Sequence, residues 1–222
     1  ITLFKHTLKH TSNNLTIHNN MGIALNKQGR TEEAIEHYLQ ALRVMPDYAK
    51  AHDNLGIAYV SLGMHKEAIE SYKQAIRINP DVAKAHYNLG VAFVKSGKRK
   101  EAIESYKQAL RINPDYADAH NNLGNVYYES GMHKEALESY KQALRINPDY
   151  ADAHSNLGNA YYESGMHKEA IDAFTQVIRI NPDDADAHNN LGVAYVKSGK
   201  RKEATEAYKQ AIRINPDDAP AH

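Results

Sequence analysis

Proline and glycine recur every 34 residues along almost the whole of this 222-residue chain. Six of the seven prolines form one series from Pro46 to Pro216, and only Pro220 breaks it. The twelve glycines form two sets with the same period, one starting at Gly22 and the other at Gly29. Such a period is typical of a solenoid, in which each short unit buries its apolar face against its neighbours. It predicts six repeats, at 15–48, 49–82, 83–116, 117–150, 151–184 and 185–218.

Each repeat is predicted to contain two α-helices, which we call the A helix and the B helix. Positions 1 to 34 of a repeat are counted from Leu15. In repeat four the apolar stripe of the A helix runs from Ala119 to Tyr127, with helical spacing. Gly131, at position 15, is expected to end this helix in a left-handed conformation. Pro148, at position 32, is expected to stop the B helix.

Two finer contacts are expected from the same pattern. Asp149 follows the proline and is expected to cap the next A helix. Glycine within a helix costs about 1 kcal/mol relative to alanine, so Gly124 at position 8 needs a packing reason. We expect it to pack closely against the small residue at position 20, Ala136.

These positions resemble the tetratricopeptide repeat family. Leu123, Gly124, Tyr127, Ala136, Tyr140, Ala143 and Pro148 stand where that family has its signature residues. The resemblance covers nearly the whole chain. It implies an all-α fold, a right-handed α–α superhelix of helix-turn-helix repeats, whose A helices line a concave binding surface.

One departure from the family pattern is systematic, because position 4 carries histidine where the family has a large aromatic residue. The series is His18, His52, His86, His120, His154, His188 and His222. Neighbouring members lie on the order of 10 Å apart, so one metal ion could not bridge them. We expect partly buried packing residues that each make a hydrogen bond, whereas His65, His133 and His167 are expected to be exposed.

Position 6 is asparagine in all six repeats, on the face of the A helix opposite the buried stripe. We call these residues the ladder asparagines: Asn20, Asn54, Asn88, Asn122, Asn156 and Asn190. An amide both donates and accepts, so such a row can pair with the main chain of an extended peptide. It resembles the asparagine ladder of the tetratricopeptide superhelix of O-linked N-acetylglucosamine transferase. The alternative is that these asparagines only occupy a helix surface and reflect repeat duplication.

Other residues of the same face complete the predicted peptide-binding site. They are Lys50, Lys84, Asn125, Asn159, Tyr87, Tyr128, Tyr162, Asp118, Asp152, Glu129 and Glu163. At positions 2, 5 and 13 the formal charge sums to +3 in repeats one to three and to −4 in repeats four to six. The hypothesis is a ligand whose acidic segment lies near repeats two and three and whose basic segment lies near repeats four and five. The alternative is that these charges are only solvated.

Composition excludes several functions. The 27 basic and 27 acidic residues cancel, so the chain lacks the excess positive charge that nucleic acid or an anionic membrane surface requires. No apolar run approaches the roughly 20 residues that cross a bilayer, and no direct membrane insertion is expected. Carboxylates recur with the scaffold and cysteine is absent. We therefore predict no catalytic residue, no metal and no cofactor, and a binding protein rather than an enzyme.

The two ends depart from the repeat. Residues 1–14 match the second half of a repeat and are expected to form a half-repeat capping helix under repeat one. Residues 219–222 are expected to begin a truncated seventh repeat, which leaves the last B helix uncapped and open to self-association. Because the chain starts without methionine, we expect it to be part of a longer protein. The sequence does not indicate its compartment.

A second function hypothesis comes from the opening residues Ile-Thr-Leu-Phe-Lys-His-Thr-Leu-Lys and the Asn-Asn pair that follows them. They resemble the junction that follows the membrane region in multi-spanning glycosyltransferase-like proteins with tetratricopeptide tails. That resemblance implies an accessory domain that recruits substrate for a larger enzyme. The first hypothesis is an interaction scaffold that binds a protein or peptide along its groove.

Overall fold

The computed structural model describes residues 2–216, and the side chains of residues 14–216. Within this range the chain forms twelve α-helices and no strand, as the repeat pattern predicts. The helices are α1 Thr2–Lys27, α2 Thr31–Val44, α3 Ala49–Ser61, α4 His65–Ile78, α5 Ala83–Lys95, α6 Arg99–Ile112, α7 Ala117–Glu129, α8 His133–Ile146, α9 Ala151–Glu163, α10 His167–Ile180, α11 Ala185–Lys197 and α12 Arg201–Ile214. Odd-numbered helices are A helices and even-numbered helices are B helices.

The chain divides into two compact units, Ile1–Pro114 and Asp115–His222. In each unit a B helix packs against the A helix that precedes it and also against the A helix of the next repeat. The core of the first unit includes Leu25, Tyr38 and Leu55. In the second unit, Val126 and Val177 are among the largest fully buried side chains. Within each unit the repeats therefore bury their apolar faces against one another, as in a solenoid. None of the described helices combines the length and apolar character needed to cross a membrane.

Helix α1 differs from the expected half-repeat helix over 1–14, because it continues without a break from Thr2 to Lys27. The physical reason lies in the sequence. Ser12 stands 34 residues before Pro46, so the proline that stops the other B helices is missing here. Side-chain packing of residues 1–13 lies outside the described part of the chain. Residues 219–222, the expected start of a seventh repeat, lie outside it too.

The turn between the A and B helices follows the predicted glycine mechanism. Gly131 has a φ of 73°, the left-handed region that glycine enters without steric cost. The backbone N–H of Met132 donates to the carbonyl of Tyr127 at 2.9 Å, and that of Gly131 donates to Tyr128 at 3.0 Å. This pair of bonds is the Schellman motif, which satisfies the last carbonyls of the helix.

The glycine at position 8 packs against a different residue from the one expected. A Cβ built on Gly124 would lie 2.6 Å from a ring carbon of Tyr140, and its three nearest contacts all belong to that ring. Tyr140 stands at position 24, one helical turn beyond Ala136, and is 1% exposed. The expectation that Gly124 packs against Ala136 was therefore wrong. Glycine is required because an aromatic ring lies against the backbone of the A helix.

The expected cap at Asp149 was also wrong. Helix α9 begins at Ala151 with Tyr150 as its N-cap residue, and that residue makes no side-chain cap. Asp149 lies one residue too early and instead forms an ion pair with Arg179. The carboxylate of Asp184 does cap helix α11, because it stands at position 34 and accepts from the N–H of Ala187 at 2.9 Å.

The position-4 histidines in the described part of the chain are half-buried packing residues, as expected, and His222 lies outside that part. Nε2 of His52 lies 2.8 Å from the carbonyl oxygen of Pro46. His86, His154 and His188 make the same contact with the proline six residues earlier. In repeat one the corresponding proline is missing, and Nδ1 of His18 lies 2.9 Å from Nδ1 of His37. The four histidines that contact a proline carbonyl therefore connect the end of a B helix to the next A helix.

The histidines at position 17 only partly follow the expectation. His133 is exposed, but His65 and His167 are half-buried. The ring of His167 packs 5.6 Å from that of Tyr162, centroid to centroid. Among the described residues no three histidine, aspartate or glutamate side chains converge as a metal site would need.

Candidate functional site

Three of the ladder asparagines join neighbouring repeats through hydrogen bonds. Nδ2 of Asn54 donates to Oδ1 of Asn19 at 3.0 Å, and Nδ2 of Asn88 donates to Oδ1 of Asp53 at 3.1 Å. In the second unit Nδ2 of Asn156 donates to Oδ1 of Asn121 at 3.0 Å. Each bond joins position 6 of one repeat to position 5 of the repeat before it. The ladder therefore does more than cover a helix surface.

Each of these bonds uses only part of the amide. An asparagine side chain has two N–H donors and an oxygen that can accept two hydrogen bonds. After the bond to position 5, one N–H and the oxygen of the ladder residue stay available. The bond also fixes the plane of the amide, so the remaining groups are held in one orientation. Such preorganised groups lose less entropy when a ligand pairs with them.

Position 5 is the part of this arrangement that sequence reasoning missed. Asn19 and Asn121 are each 4% exposed, so their side chains support the ladder from below. A signal was present, since five of the six repeats carry a short side chain with an oxygen here, namely Asn19, Asp53, Asn121, Ser155 and Asn189. What the sequence could not show is that position 5 of one repeat lies beside position 6 of the next.

The first unit contains a cavity of about 520 Å³ on the face of the A helices that carries the ladder asparagines. The ladder residues Asn20 and Asn54 line it together with Lys50 and Asp53. Its apolar lining includes Ile23, Ala49, Ala75, Val82 and Ala85. The volume is within the roughly 300–1,000 Å³ that is usual for ligand sites. Three predicted site residues, Asn20, Lys50 and Asn54, thus meet at one depression.

The charged residues near this cavity differ in their exposure to solvent. Lys50 and Lys84 are exposed, whereas Asp53 is half-buried. Burial raises the pKa of the Asp53 carboxyl, and the hydrogen bond from Asn88 and the positive charge of Lys84 oppose that rise. Asp53 is therefore already engaged by neighbours within the protein. Tyr87 lies on the same helix as Lys84, half-buried, with its ring 5.8 Å from that of Tyr106.

The second unit carries aromatic and acidic residues at the corresponding positions. Asp118, Asp152, Glu129 and Glu163 are exposed. Burial, reinforced by a hydrogen bond to Glu163, raises the pKa of the Tyr128 phenol to about 12. Tyr128 therefore stays neutral at physiological pH.

The remaining predicted site residues of the second unit have unlike surroundings. Oδ1 of Asn125 accepts a hydrogen bond from the Tyr140 hydroxyl at 2.7 Å, so part of this amide is committed to the scaffold. Asn159 is exposed, and repeat five has Phe174 in place of that tyrosine. Tyr162 is half-buried against His167. Asn122 and Asn190 are half-buried on helices α7 and α11.

Comparison with family models decides the identity of the repeat. A model described as "TPR repeat" matches residues 92–131, 124–165 and 158–199. Models described as "Tetratricopeptide repeat" match residues 13–81, 59–104 and 185–218. The chain belongs to the tetratricopeptide repeat family. A comparison with curated protein sequences finds no significant match.

Solved structures with the tetratricopeptide fold resemble this chain closely. YrrB, a "TPR protein with an unusual peptide-binding site", is 28% identical with a TM-score of 0.69 over 82% of this chain and 93% of its own. The MamA protein is 28% identical with a TM-score of 0.72 over 79% of this chain and 96% of its own. Pseudomonas aeruginosa pilF, at 19% identity, has a TM-score of 0.81 over 94% and 95%. All three structures confirm the predicted all-α solenoid class, and YrrB and MamA support a protein-interaction scaffold.

Proposed function

We propose that this tetratricopeptide chain binds an extended peptide segment of a partner protein along its A helices. The ladder asparagines would pair with the main chain of that segment. The observation that carries the proposal is the hydrogen bond from each of three ladder residues, Asn54, Asn88 and Asn156, to position 5 of the preceding repeat. It holds the remaining amide groups ready at repeated intervals, and main-chain groups recur at regular intervals along an extended peptide as well.

Two further observations support peptide binding over catalysis. The cavity of the first unit offers apolar walls beside amide groups, which is the chemistry of peptide sites rather than of a unique acid–base pair. A relative of the same fold, YrrB, is described as having a peptide-binding site. The remaining residues of the predicted site, including Asn125 and Asn159, would contribute side-chain contacts around the ladder.

The ladder is tested by removing two amides that line the same cavity, Asn20 and Asn54. The double variant N20A/N54A is expected to bind peptides about thirtyfold more weakly, because two hydrogen bonds of about 1 kcal/mol each are lost and about 1.4 kcal/mol corresponds to tenfold. Binding is measured by fluorescence anisotropy with the strongest peptides from an array of twelve-residue sequences.

The matched control is N147A/N181A, which removes two exposed asparagines that stand at position 31, after B helices. This variant is expected to bind as the unmodified protein does. Circular dichroism should show that both double variants are folded. Equal binding by the ladder variant and the control would contradict the role of the ladder.

We also propose that the last repeat can associate with a second copy of the chain. Val196 and Ile212 are each 49% exposed, whereas the residues at the position of Ile212 in repeats two to five are half-buried. Sedimentation velocity at increasing concentration should show a dimer that V196K/I212K abolishes, since charge in an apolar interface is costly. An unmodified protein that stays monomeric at millimolar concentration would refute self-association.

A further inference from the structure

We propose that the cavity formed by repeats one to three is the docking site for an acidic, extended segment of a partner protein, with Lys50 and Lys84 as its specificity-determining residues. The inference rests on the proposed function and adds the chemistry of the partner. Three observations support this inference. They are the shape of the cavity, the charges around the cavity and the opposite charges at the same positions in repeats four to six.

The shape of the cavity suits alternate residues of an extended chain. Ile23 and Val82 provide apolar lining, whereas Asn20 and Asn54 provide amides in the same depression. Successive side chains of an extended segment point in opposite directions. One apolar side chain can therefore enter the cavity while the main chain beside it pairs with the ladder. The next side chains along the segment then lie at the rim, where the lysines stand.

The charge available to a ligand at this rim is positive. Asp53 is the acidic residue in the lining, and its Oδ1 already accepts a hydrogen bond from Asn88 at 3.1 Å. Lys84 is close enough to act on the Asp53 carboxyl electrostatically. Lys50 forms no ion pair within the described part of the chain and is exposed beside the cavity. A carboxylate on the ligand would give Lys50 the partner that the protein itself does not supply.

The backbone adds to this preference. Helices α3 and α5 begin at Ala49 and Ala83, and their N-cap residues, Tyr48 and Val82, make no side-chain cap. Both N-cap residues line the cavity. Uncapped N-terminal amides carry partial positive charge, and here they stand beside the lysines at position 2. These backbone N–H groups add to the attraction that Lys50 and Lys84 exert on an acidic ligand. The two lysines determine the preference for an acidic ligand.

Repeats four to six show the opposite charge on the same scaffold. Position 2 holds exposed aspartates there, Asp118, Asp152 and Asp186. At helix α11 the N-cap residue is Asp184, and its carboxylate accepts a hydrogen bond from the backbone N–H of Ala187. An acidic segment would be repelled at these positions. Position 2 therefore distinguishes the first unit from the second, and the lysines select the ligand.

The experiment uses the whole chain and three fluorescein-labelled ten-residue peptides. The acidic peptide alternates glutamate and valine, the basic twin has lysine for glutamate, and the neutral twin has glutamine. In 25 mM NaCl the acidic peptide is expected to bind about tenfold more tightly than either twin, and the difference should shrink at 300 mM as salt screens the charges. Fluorescence anisotropy gives the affinities.

The decisive comparison is between two double variants with the same change in net charge. K50E/K84E is expected to weaken binding of the acidic peptide about tenfold or more, whereas K66E/K73E, on exposed positions of helix α4, should weaken it less than about threefold. All four lysines are exposed, so both variants should fold, and circular dichroism checks this. Equal weakening by the two variants would overturn the proposal.

Two other outcomes separate this inference from the proposed function. If the neutral twin binds as tightly as the acidic peptide and loses affinity in N20A/N54A, the peptide scaffold stands and the acidic preference is wrong. If none of the three peptides binds at millimolar concentration, both fail. Competition by a single-stranded oligonucleotide of equal charge, as effective as unlabelled acidic peptide, would show a response to charge alone and would also overturn the proposal.

Discussion

Replacing Tyr140 by alanine should lower the free energy of unfolding by about 3–5 kcal/mol, the cost of removing a large aromatic side chain from a packed core. Tyr140 is 1% exposed, and its ring fills the space against Gly124. Removing it leaves a cavity between two helices and leaves Oδ1 of Asn125 without its donor. Urea denaturation followed by circular dichroism measures the loss.

The matched control is Tyr140→Phe, which keeps the ring and removes only the hydroxyl. Its expected cost is about 1 kcal/mol, that of one hydrogen bond. Repeat five already contains this arrangement, because Phe174 is buried against Gly158 in the same way. If phenylalanine cost as much as alanine, the hydrogen bond to Asn125 rather than ring packing would be the main contribution of Tyr140.

The sequence predicted the 34-residue repeat, the two helices of each repeat and the turns between them. These features could be predicted because glycine and proline act on the backbone locally. Gly131 needs only its own φ and the two bonds around it to end a helix. The break expected before Leu15 failed for the same local reason. Ser12 replaces the proline that the period requires, and a helix without a breaker continues.

Contacts between helices were less predictable, because a period places residues on a face but does not give the direction of their side chains. Ala136 and Tyr140 both lie on the inner face of helix α8, and only the structure shows that the ring reaches Gly124. Similarly, the period shows that asparagine recurs at position 6. It does not show that Asn54 reaches Asn19 in the repeat before it.

The candidate site likewise has a part that the sequence predicted and a part that only the structure shows. Lys50 and the two ladder residues Asn20 and Asn54 were identified from the sequence, and the structure places all three at one cavity. Residues with a scaffold role could not be separated from them in advance. Asn125 has the same residue type and helix face as a ligand contact would have, yet its oxygen is already bonded to Tyr140.

Gly124→Ala should destabilise the protein by about 2 kcal/mol, although alanine is the better helix former by about 1 kcal/mol. The added Cβ would lie 2.6 Å from a ring carbon of Tyr140 and 2.7 Å from another. These distances are well below van der Waals contact, and the ring is buried and cannot move aside. Overpacking of this kind costs about 1–3 kcal/mol. Urea denaturation of the single variant measures the net effect.

A double-mutant cycle with Tyr140→Leu shows whether the ring is the cause. In the Tyr140→Leu background the clash is removed, so Gly124→Ala should cost almost nothing or stabilise the helix, which gives a coupling energy of about 2 kcal/mol. Gly131→Ala is the control, because Gly131 has a φ of 73° and no atom within 4 Å of an added Cβ. Its cost of about 1–2 kcal/mol arises from the left-handed backbone and should be the same in both backgrounds. If Gly124→Ala were equally costly with leucine at position 140, the requirement for glycine would lie in the backbone of helix α7 rather than in contact with the aromatic ring.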